Sequence, residues 1–269
     1  MIVCADDFGM APDIDEAIHE LACMGRLSAV SCMMASPGFD EGRFVRLLRE
    51  RGRIDVGLHF MLTEGRPMAT HPPGAGFVAA DGTFPGHGAL LRTSLAGRID
   101  PVTVERELAA QHARFCELAG SAPDFVDGHM HVQQLPGVRD GVLGFLGRLP
   151  VAARPYVRNS APTWRGVFLG RVAVLKTLAI GSMGIGFRRR AWRSGLRTND
   201  GFTGIYDFRD CDAFPAFLGR FARHATGRTI LMVHPGKVER WRGIEHRTLR
   251  EAAWLSGRAR RFGTNESSP

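Results

Sequence analysis

Short apolar segments alternate with amphipathic segments along most of this chain, and few folds accommodate that alternation. The apolar segments have the length and residue types of buried β-strands, and the amphipathic ones have helical periodicity. Predicted strands are 2–5, 27–35, 54–60, a segment ending in 124–136, 154–158, 202–206 and 228–233. Predicted helices are one from Pro12 to Gly25, then 40–51, 101–119, 136–149, 165–195, 212–226 and 246–261. Alternating strands and helices predict an α/β fold, a distorted, incomplete β/α barrel with about seven mostly parallel strands and outer helices.

One domain over residues 1–269 is expected, because α/β barrels of this size commonly form a single domain. Residues 62–100 are rich in Gly and Pro and form a predicted insert loop. Residues 141–199 contain eleven Arg and Lys residues and no Asp or Glu, so the net charge of +8 comes from this block. The block is a candidate surface or specificity region facing anionic lipid or a phosphorylated substrate. Arg-rich codon usage is the alternative, which explains the choice of Arg over Lys but not the missing acids.

The N-terminal residues and the cysteines predict a cytoplasmic protein. The chain begins MIVCADDFG, without the basic and apolar regions of a signal peptide, and its five cysteines form no CxxC pair. Residues 167–187 are apolar and long, but Arg171 and Lys176 interrupt them. This favours buried or interfacial helices over a transmembrane span. Peripheral contact with the inner face of an anionic membrane remains an open alternative.

Polar residues cluster where the predicted strands end. In β/α barrels the carboxyl ends of the strands carry the active site. The sequence DFVDGHMHVQQLP at 124–136 is the strongest signal, because an extended chain would direct alternate polar side chains to one face. The clusters are Asp6 with Asp7, His59, Asp127 with His129 and His131, and His234.

These residue types favour a catalytic metal site. One Asp and two His residues supply three ligands for zinc or another divalent ion and leave a position for water. A second carboxylate beside the ligands can accept the water proton. The adjacent Asp6 and Asp7 fit this division of roles, provided that the turn at Phe8-Gly9 lets both reach the site. His234 is the candidate for protonating the leaving group.

Four motifs resemble, in order and spacing, those of the YdjC-like carbohydrate deacetylases, which include chitooligosaccharide and hopanoid-associated deacetylases. They are ADDFG at 5–9, GLHFMLTEGRP at 57–67, DGHMHVQQLP at 127–136 and HPG at 234–236. The resemblance implies a distorted β/α barrel that binds one divalent metal ion, zinc or magnesium, and removes N-acetyl groups from amino sugars. Many members carry a further His where this chain has Gln133. The segment 195–208 is similar to one in the hopanoid-associated members.

Residue roles follow from the resemblance by position. Asp7, His59 and His129 match the metal ligands, Asp6 matches the catalytic base, and His234 matches a late His that lines the site. Three further residues are candidates for substrate binding or for support of the ligands: Asp127, His131 and Arg158. Asp127 would orient a ligating imidazole, with a purely structural role as the alternative.

Several functions compete with N-deacetylation. A metal-dependent phosphoesterase would place its HxH pair on the first strand and need more ligands, and a NodB-like polysaccharide deacetylase would need an HxxxH motif that is absent here. A catalytically inactive sugar- or lipid-binding protein would not need the base and the acid. Nucleic acid is not expected as a partner, because no recognition motif occurs.

The expected partner is an amino-sugar substrate, and a homodimer is an open alternative to a monomer. A soluble oligosaccharide would need stacking aromatics in an open groove. The candidates are Trp164, Trp192, Phe202 and Trp241. A lipid-linked, hopanoid-type glycoside would need a membrane-facing surface, which the Arg-rich apolar segment 164–198 favours.

Overall fold

Seven parallel strands form a curled half-barrel in the computed structural model, which describes residues 1–72, 74–163 and 172–263. The strands are β1 (Ile2–Phe8), β2 (Ala29–Cys32), β3 (Asp55–Phe60), β4 (Phe125–Gly128), β5 (Tyr156–Val157), β6 (Gly201–Thr203) and β7 (Thr229–Val233). Their order in the sheet is β5-β4-β3-β2-β1-β7-β6. Isolated bridges join Val157 to Thr198 and Pro162 to Phe202, so the two edges of the sheet approach each other. The predicted distorted, incomplete β/α barrel is confirmed.

The side chains inside the half-barrel form an apolar layer and a polar layer. At the amino ends of the strands, the interior is filled by a buried apolar cluster that includes Ile2, Ala29, Phe125, Tyr156, Phe202 and Ile230. Because side chains alternate with a period of two, later inward positions on the same strands carry the polar residues. These are Asp6, Ser31, His59, Asp127, Arg158 and His234. Gly57 is required between the layers, because a Cβ there would lie 2.5 Å from the Phe125 ring.

Helices cover the outer face of the sheet. In the described residues they are α1 (Pro12–Cys23), α2 (Glu41–Leu48), α3 (His87–Leu95), α4 (Pro101–Ala119), α5 (Val138–Arg148), α6 (Val174–Arg193), α7 (Phe214–Arg223) and α8 (Arg240–Glu251). The helix α4 has the bounds predicted for it. Asp100 caps its first turn by accepting a hydrogen bond from the Val102 amide, and Gly120 ends it with a left-handed φ of 68°.

Two predicted helix features are wrong. The spacing of Asp13 and Glu16 predicts Asp13 as the N-cap of α1, but the helix begins after Ala11 without a side-chain cap. The Asp13 carboxylate instead accepts hydrogen bonds from the amides of Lys237 and Val238, each at 3.0 Å, and so holds the loop before α8. The last helix begins at residue 240 and not at 246. Its buried face includes Arg242 and Glu245, so an apolar stripe could not reveal its start.

The extended conformation predicted for the polar residues of 124–136 is confirmed for Asp127 but is wrong for His129 and His131. Strand β4 ends at Gly128, and residues His129–Gln134 form a 3₁₀ turn in which Met130 and His131 have left-handed φ values of 52° and 61°. The insert 62–100 contains α3, which the sequence did not predict. Part of the predicted helix 165–195 lies outside the described residues, as does Trp164.

None of the helices in the described ranges combines the length and the hydrophobicity needed to cross a bilayer. The helix α6, which contains most of the apolar segment 167–187, turns its small and apolar residues Gly181, Gly184 and Phe187 inward. Leu175 and Trp192 are exposed on its outer side.

Candidate active site

A cleft of about 490 Å³ opens at the carboxyl ends of the strands. It is lined by all the predicted site residues except Asp127, which lies behind His59 and contacts its Nδ1. The parallel register explains this contact, because His59 on β3 and Asp127 on β4 are paired Cα partners and both point into the half-barrel. The polar ends of distant segments therefore meet in one place.

A register shift in β1 brings both adjacent aspartates into this cleft. In regular extended chain, Asp6 and Asp7 would point to opposite faces of the sheet. The pairing of β1 with β2 shifts between Ala5 and Phe8, and Asp7 has a left-handed φ of 71°. This irregularity lies one residue earlier than the predicted turn at Phe8-Gly9. Backbone strain of this kind costs about 1–3 kcal/mol and is concentrated at functional sites.

Asp7, His59 and His129 form a compact group of candidate metal ligands. One donor atom from each lies within 4.8 Å of the others, and all three side chains are buried. Asp7 Oδ1 lies 3.1 Å from His129 Nδ1 and 3.5 Å from His59 Nε2. One carboxylate and two imidazoles are donors that suit zinc and also accept other divalent ions. The residues present therefore fit a single divalent ion.

Each of these three side chains has a polar partner on its far side. His59 Nδ1 lies 2.6 Å from Asp127 Oδ1, which also accepts a hydrogen bond from the Ser31 hydroxyl. Arg242 Nη2 donates to Asp7 Oδ2 at 2.7 Å. The Glu64 carboxylate lies 3.6 Å from His129 Nε2. Partners of this kind orient ligands and set the tautomer of ligating imidazoles.

Asp6 is fixed by a fully buried arginine. Arg158 donates to both Asp6 oxygens, at 2.6 and 2.7 Å, and its Nη1 lies 2.9 Å from Asp127 Oδ2. Cys4, Asp6 and Asp127 form a second group with metal-ligand spacing. The Arg158 guanidinium, which also lies 3.8 Å from Cys4 Sγ, occupies the centre of that group. The charge of this second group is therefore balanced by Arg158, which leaves no place for a second metal ion.

The buried polar side chains at the bottom of the cleft form its floor: Asp6, Asp7, His59, Asp127 and Arg158. Their interactions keep Asp6 and Asp7 ionised. Burial raises the pKa of Asp6, but Arg158, with smaller contributions from His59 and His234, lowers it from 3.8 to about 2. Burial also opposes ionisation of Asp7, yet the hydrogen bonds from His129 and His59 hold its pKa well below 3.8. For His59, burial lowers the pKa, but Asp127 and Asp6 raise it to about 10. The negative charge of the floor thus favours a cation, either a proton on His59 or a metal ion.

His234 follows β7 and faces the two aspartates across the cleft. Its backbone amide donates to Glu245 Oε2, whose other oxygen accepts a hydrogen bond from the Tyr206 hydroxyl at 2.6 Å. Burial lowers the pKa of His234 to about 4, although Asp7 and Asp6 act in the opposite direction. The imidazole is therefore neutral at pH 7, and its Nδ1 has no hydrogen-bond partner among the described residues.

His131 reaches the cleft from the 3₁₀ turn and not from an extended strand. Its Nδ1 lies 3.1 Å from the Ser160 hydroxyl, and its ring packs edge-on against Phe202. Burial, assisted by the charge of Arg158, lowers the pKa of this imidazole to about 3. His131 is thus a neutral hydrogen-bonding group beside the candidate metal ligands.

The walls of the cleft are mostly apolar. They come from the insert, from α6, from the first turn of α8 and from the loops after β1, β4 and β6. Their apolar residues include Met10, Leu91, Met130, Leu135, Ile180, Met183, Ile205, Phe208 and Trp241. Of the predicted stacking aromatics in the described residues, Trp241 lines the cleft, Phe202 lies beneath His131, and Trp192 is on the outer side of α6.

Comparison with known proteins identifies the family to which this architecture belongs. The family model described as "YdjC-like protein" matches residues 1–261. The chain belongs to the YdjC-like family. The family resemblance inferred from the four sequence motifs is thereby confirmed, and it extends over nearly the whole chain.

Curated relatives of this YdjC-like chain are named carbohydrate deacetylase. The human protein is 38% identical over 139 residues, which are 51% of this chain and 42% of the human one. The protein from Geobacillus stearothermophilus is 35% identical over 161 residues, which are 60% of this chain and 61% of its own length. The chain thus spans less than two thirds of the length of the relatives it matches.

A solved structure shares the fold over a longer range. The chain superposes on an Enterococcus faecalis protein, described as a candidate cellobiose-phosphate cleavage protein, with a TM-score of 0.66. The superposition covers 93% of this chain and 90% of the other, at 19% sequence identity. This likeness concerns the fold alone.

Sequence reasoning missed several residues of this YdjC-like site. Glu64 was visible in the motif at 57–67, but no role was assigned to it. His87 also lines the cleft, but a single histidine in a Gly- and Pro-rich insert carries no signal in the sequence. Arg242 gave no signal, because an arginine in the first turn of a polar helix is usually exposed.

Proposed function

We propose that this chain is a metal-dependent hydrolase that removes N-acetyl groups from an amino sugar. Membership of the YdjC-like family and the name shared by the curated relatives support the reaction class. The observation that carries the proposal is the group Asp7, His59 and His129 beside the ionised Asp6 at the floor of one cleft. We also propose that residues 1–269 form a single deacetylase domain.

Asp7, His59 and His129 would hold one divalent ion, zinc or magnesium. The two imidazoles and the single carboxylate favour zinc, since magnesium prefers a shell of oxygen atoms. The bound ion supplies Lewis acidity, which polarises an acyl oxygen and makes water more acidic. Asp127 supports this ligand set by accepting the Nδ1 proton of His59, which leaves Nε2 as the donor atom.

Asp6 accepts the proton of the attacking water in this proposal. The two Arg158 hydrogen bonds orient its carboxylate. Oδ1 also accepts from the Cys4 thiol, so Oδ2 is the oxygen that retains a lone pair for water. The low pKa of Asp6 makes it ionised but weakly basic, so it removes a proton only from water that is already acidified. Arg158 is therefore a positioning residue that also holds Asp127.

His234 and His131 complete the polar part of the cleft. Because His234 is neutral at pH 7, it must take up a proton before it can protonate the departing amine. The proton collected by Asp6 is the available source, since both side chains line the same cleft. His131 is the candidate hydrogen-bond partner for a sugar hydroxyl, because Ser160 holds its Nδ1 and its neutral ring can donate or accept.

The apolar walls favour a lipid-linked, hopanoid-type amino sugar over a soluble oligosaccharide. Ile180, Met183 and Ile205 offer no hydrogen-bond partner to a sugar hydroxyl, so this part of the cleft suits a lipid chain better. In this interpretation the sugar lies over the polar floor and the lipid contacts these side chains. A chitooligosaccharide is the second substrate, for which stacking on Trp241 is the supporting observation.

We further propose that the protein is cytoplasmic and contacts the inner face of an anionic membrane through α6. This helix forms a wall of the cleft with Ile180 and Met183 and exposes Leu175 and Trp192 on its other side. Arg189 and Arg193 are also exposed there, next to no acidic residue of the same helix. Exposed apolar side chains with flanking arginines suit an anionic lipid surface. Nothing in this arrangement requires nucleic acid or a homodimer.

The alternative functions fit this site less well. A phosphoesterase with two metal ions would need the second group of acids, where the Arg158 guanidinium lies. An inactive sugar- or lipid-binding protein would have no need for the ionised Asp6 next to an intact set of metal ligands.

Acetate release by the purified, zinc-loaded protein tests the proposal. Diacetylchitobiose and an N-acetylglucosaminyl lipid in detergent are offered in parallel, with the Asp6→Asn protein as the blank. We expect release from the lipid at a higher kcat/KM. Release only from diacetylchitobiose would reject the lipid substrate, and no release from either would favour the binding protein. Cosedimentation with vesicles of anionic lipid, compared for wild type and Arg189→Glu, tests the membrane contact.

A further inference from the structure

The two oxygens of Asp7 have different partners. Oδ1 faces the imidazoles, at 3.1 Å from His129 Nδ1 and 3.5 Å from His59 Nε2. Oδ2 points the other way and accepts a hydrogen bond from Arg242 Nη2 at 2.7 Å. A carboxylate can bind a metal ion through one oxygen or through both. In this protein one of the two is already engaged by a cation.

Arg242 cannot easily leave that position. Its side chain is 6% exposed, its Nε donates to Glu239 Oε2 at 2.7 Å, and its guanidinium stacks on the Trp241 ring at 4.4 Å. Its aliphatic stem passes so close to Gly236 that a Cβ there would lie 3.0 Å from Arg242 Cδ. These contacts hold the guanidinium against Oδ2 from several sides.

We infer that Arg242 restricts Asp7 to binding a metal ion through Oδ1 alone. Since a bidentate carboxylate would add a fourth protein donor atom, this restriction keeps a position open for water and substrate. Arg242 is then a positioning residue, because it contacts the ligand and not the reacting atoms. The inference rests on the proposed metal site, but it concerns the geometry of the ligands and not the reaction catalysed.

Cobalt substitution gives a direct measurement. Co²⁺ with four or five ligands absorbs visible light more strongly than six-coordinate Co²⁺, so the absorption per bound ion reports the number of donors. We expect Arg242→Met, loaded to saturation, to absorb less per bound Co²⁺ than wild type.

Two further variants make the result specific. Arg240→Met is the matched control, since Arg240 lies two residues earlier on α8, is exposed and pairs with Asp212. It should leave the spectrum and the Co²⁺ affinity unchanged. Arg242→Lys keeps a positive donor near Oδ2 and should restore part of the wild-type spectrum, which also covers the case in which Arg242→Met folds poorly.

The outcomes separate the inference from the proposed function. A saturated Arg242→Met protein with the wild-type spectrum would overturn the role of Arg242 and leave the metal site standing. Equal changes in Arg240→Met and Arg242→Met would also overturn it, because the effect would then not depend on contact with Asp7. A wild-type protein that binds no Co²⁺ would reject the metal site itself.

Discussion

The floor and the walls of the cleft are built in opposite ways. The floor consists of buried charged side chains at strand ends, where Arg158 contacts Asp6 at 2.6 Å and Asp127 at 2.9 Å. The walls consist of apolar side chains from the insert, from α6 and from loops. Strand register determines the floor, whereas the walls depend on segments that the sheet does not constrain. From this difference we expect changes in the floor to affect the chemistry and changes in the walls to affect the choice of substrate.

Loss of the base on the floor should have the largest effect. Asp6→Asn keeps the shape and one acceptor for Arg158 but removes the ionised oxygen that we propose takes the water proton. We expect kcat to fall by about 10²–10⁴-fold, the usual contribution of general base catalysis, with zinc affinity within a few-fold of wild type. His129→Ala should lose both turnover and zinc binding. Steady-state kinetics and a chelator competition measure the two effects, with the exposed Asp140→Asn as the control. Near-normal turnover by Asp6→Asn would show that another group is the base.

Removal of the Arg158 guanidinium from the floor should mainly lower the free energy of unfolding. Arg158→Met leaves Asp6 and Asp127 buried without their partner, and breaking a buried ion pair in this way costs about 3–5 kcal/mol. Urea unfolding measures the loss. The surface pair of Arg228 with Asp200 offers a control, because Arg228→Met should cost at most about 1 kcal/mol. Equal losses in the two variants would contradict the distinction between a buried charged floor and the protein surface.

Glu245, which supports His234 from beneath, should make stability depend on pH. Burial raises its pKa from 4.5 to about 7, although hydrogen bonds from Tyr206 and the His234 amide act against this. The folded state therefore binds this proton more tightly than the unfolded state. The resulting stabilisation is complete below pH 4.5 and is lost as the pH rises to about 7.

The matched comparison is with Glu245→Gln, which stays neutral. Relative to that variant, the free energy of unfolding of the wild type should fall by up to about 3 kcal/mol between about pH 4.5 and about pH 8. Urea titrations at both pH values measure it. A difference between the two proteins that does not change with pH would contradict the raised pKa.

A change in the wall should have the smallest effect and should depend on the substrate. Met183→Ser removes apolar contact from the α6 wall, and we expect kcat/KM for the N-acetylglucosaminyl lipid to fall about tenfold, the effect of losing most of one buried apolar side chain. Turnover of diacetylchitobiose should change little. Val45→Ser, on the exposed side of α2, is the control. Equal losses with both substrates would mean that the walls do not determine the substrate.

Sequence patterns predicted those parts of the molecule that depend on local periodicity. The helix α4 has the predicted bounds, and the polar residues predicted at strand ends do meet at one edge of the sheet. Residues that act through irregular backbone were harder to predict. His131 reaches the cleft only because two residues adopt left-handed φ, and Asp7 because β1 shifts register. No periodic pattern encodes either feature.

The amino-acid sequence by itself determined the α/β class, the family and the residues available for a metal site. Each of these depends on which side chains follow an apolar strand, and that information is local. Only the tertiary structure decided that Arg158 occupies the second group of acids and that Arg242 engages one oxygen of Asp7. Both contacts join segments more than 150 residues apart. For Arg242 the cause is the sheet order, which places β7 beside β1. For Arg158 it is the curl of the sheet, which brings the edge strand β5 across the half-barrel. Charges from distant parts of the chain are thereby buried together and must pair.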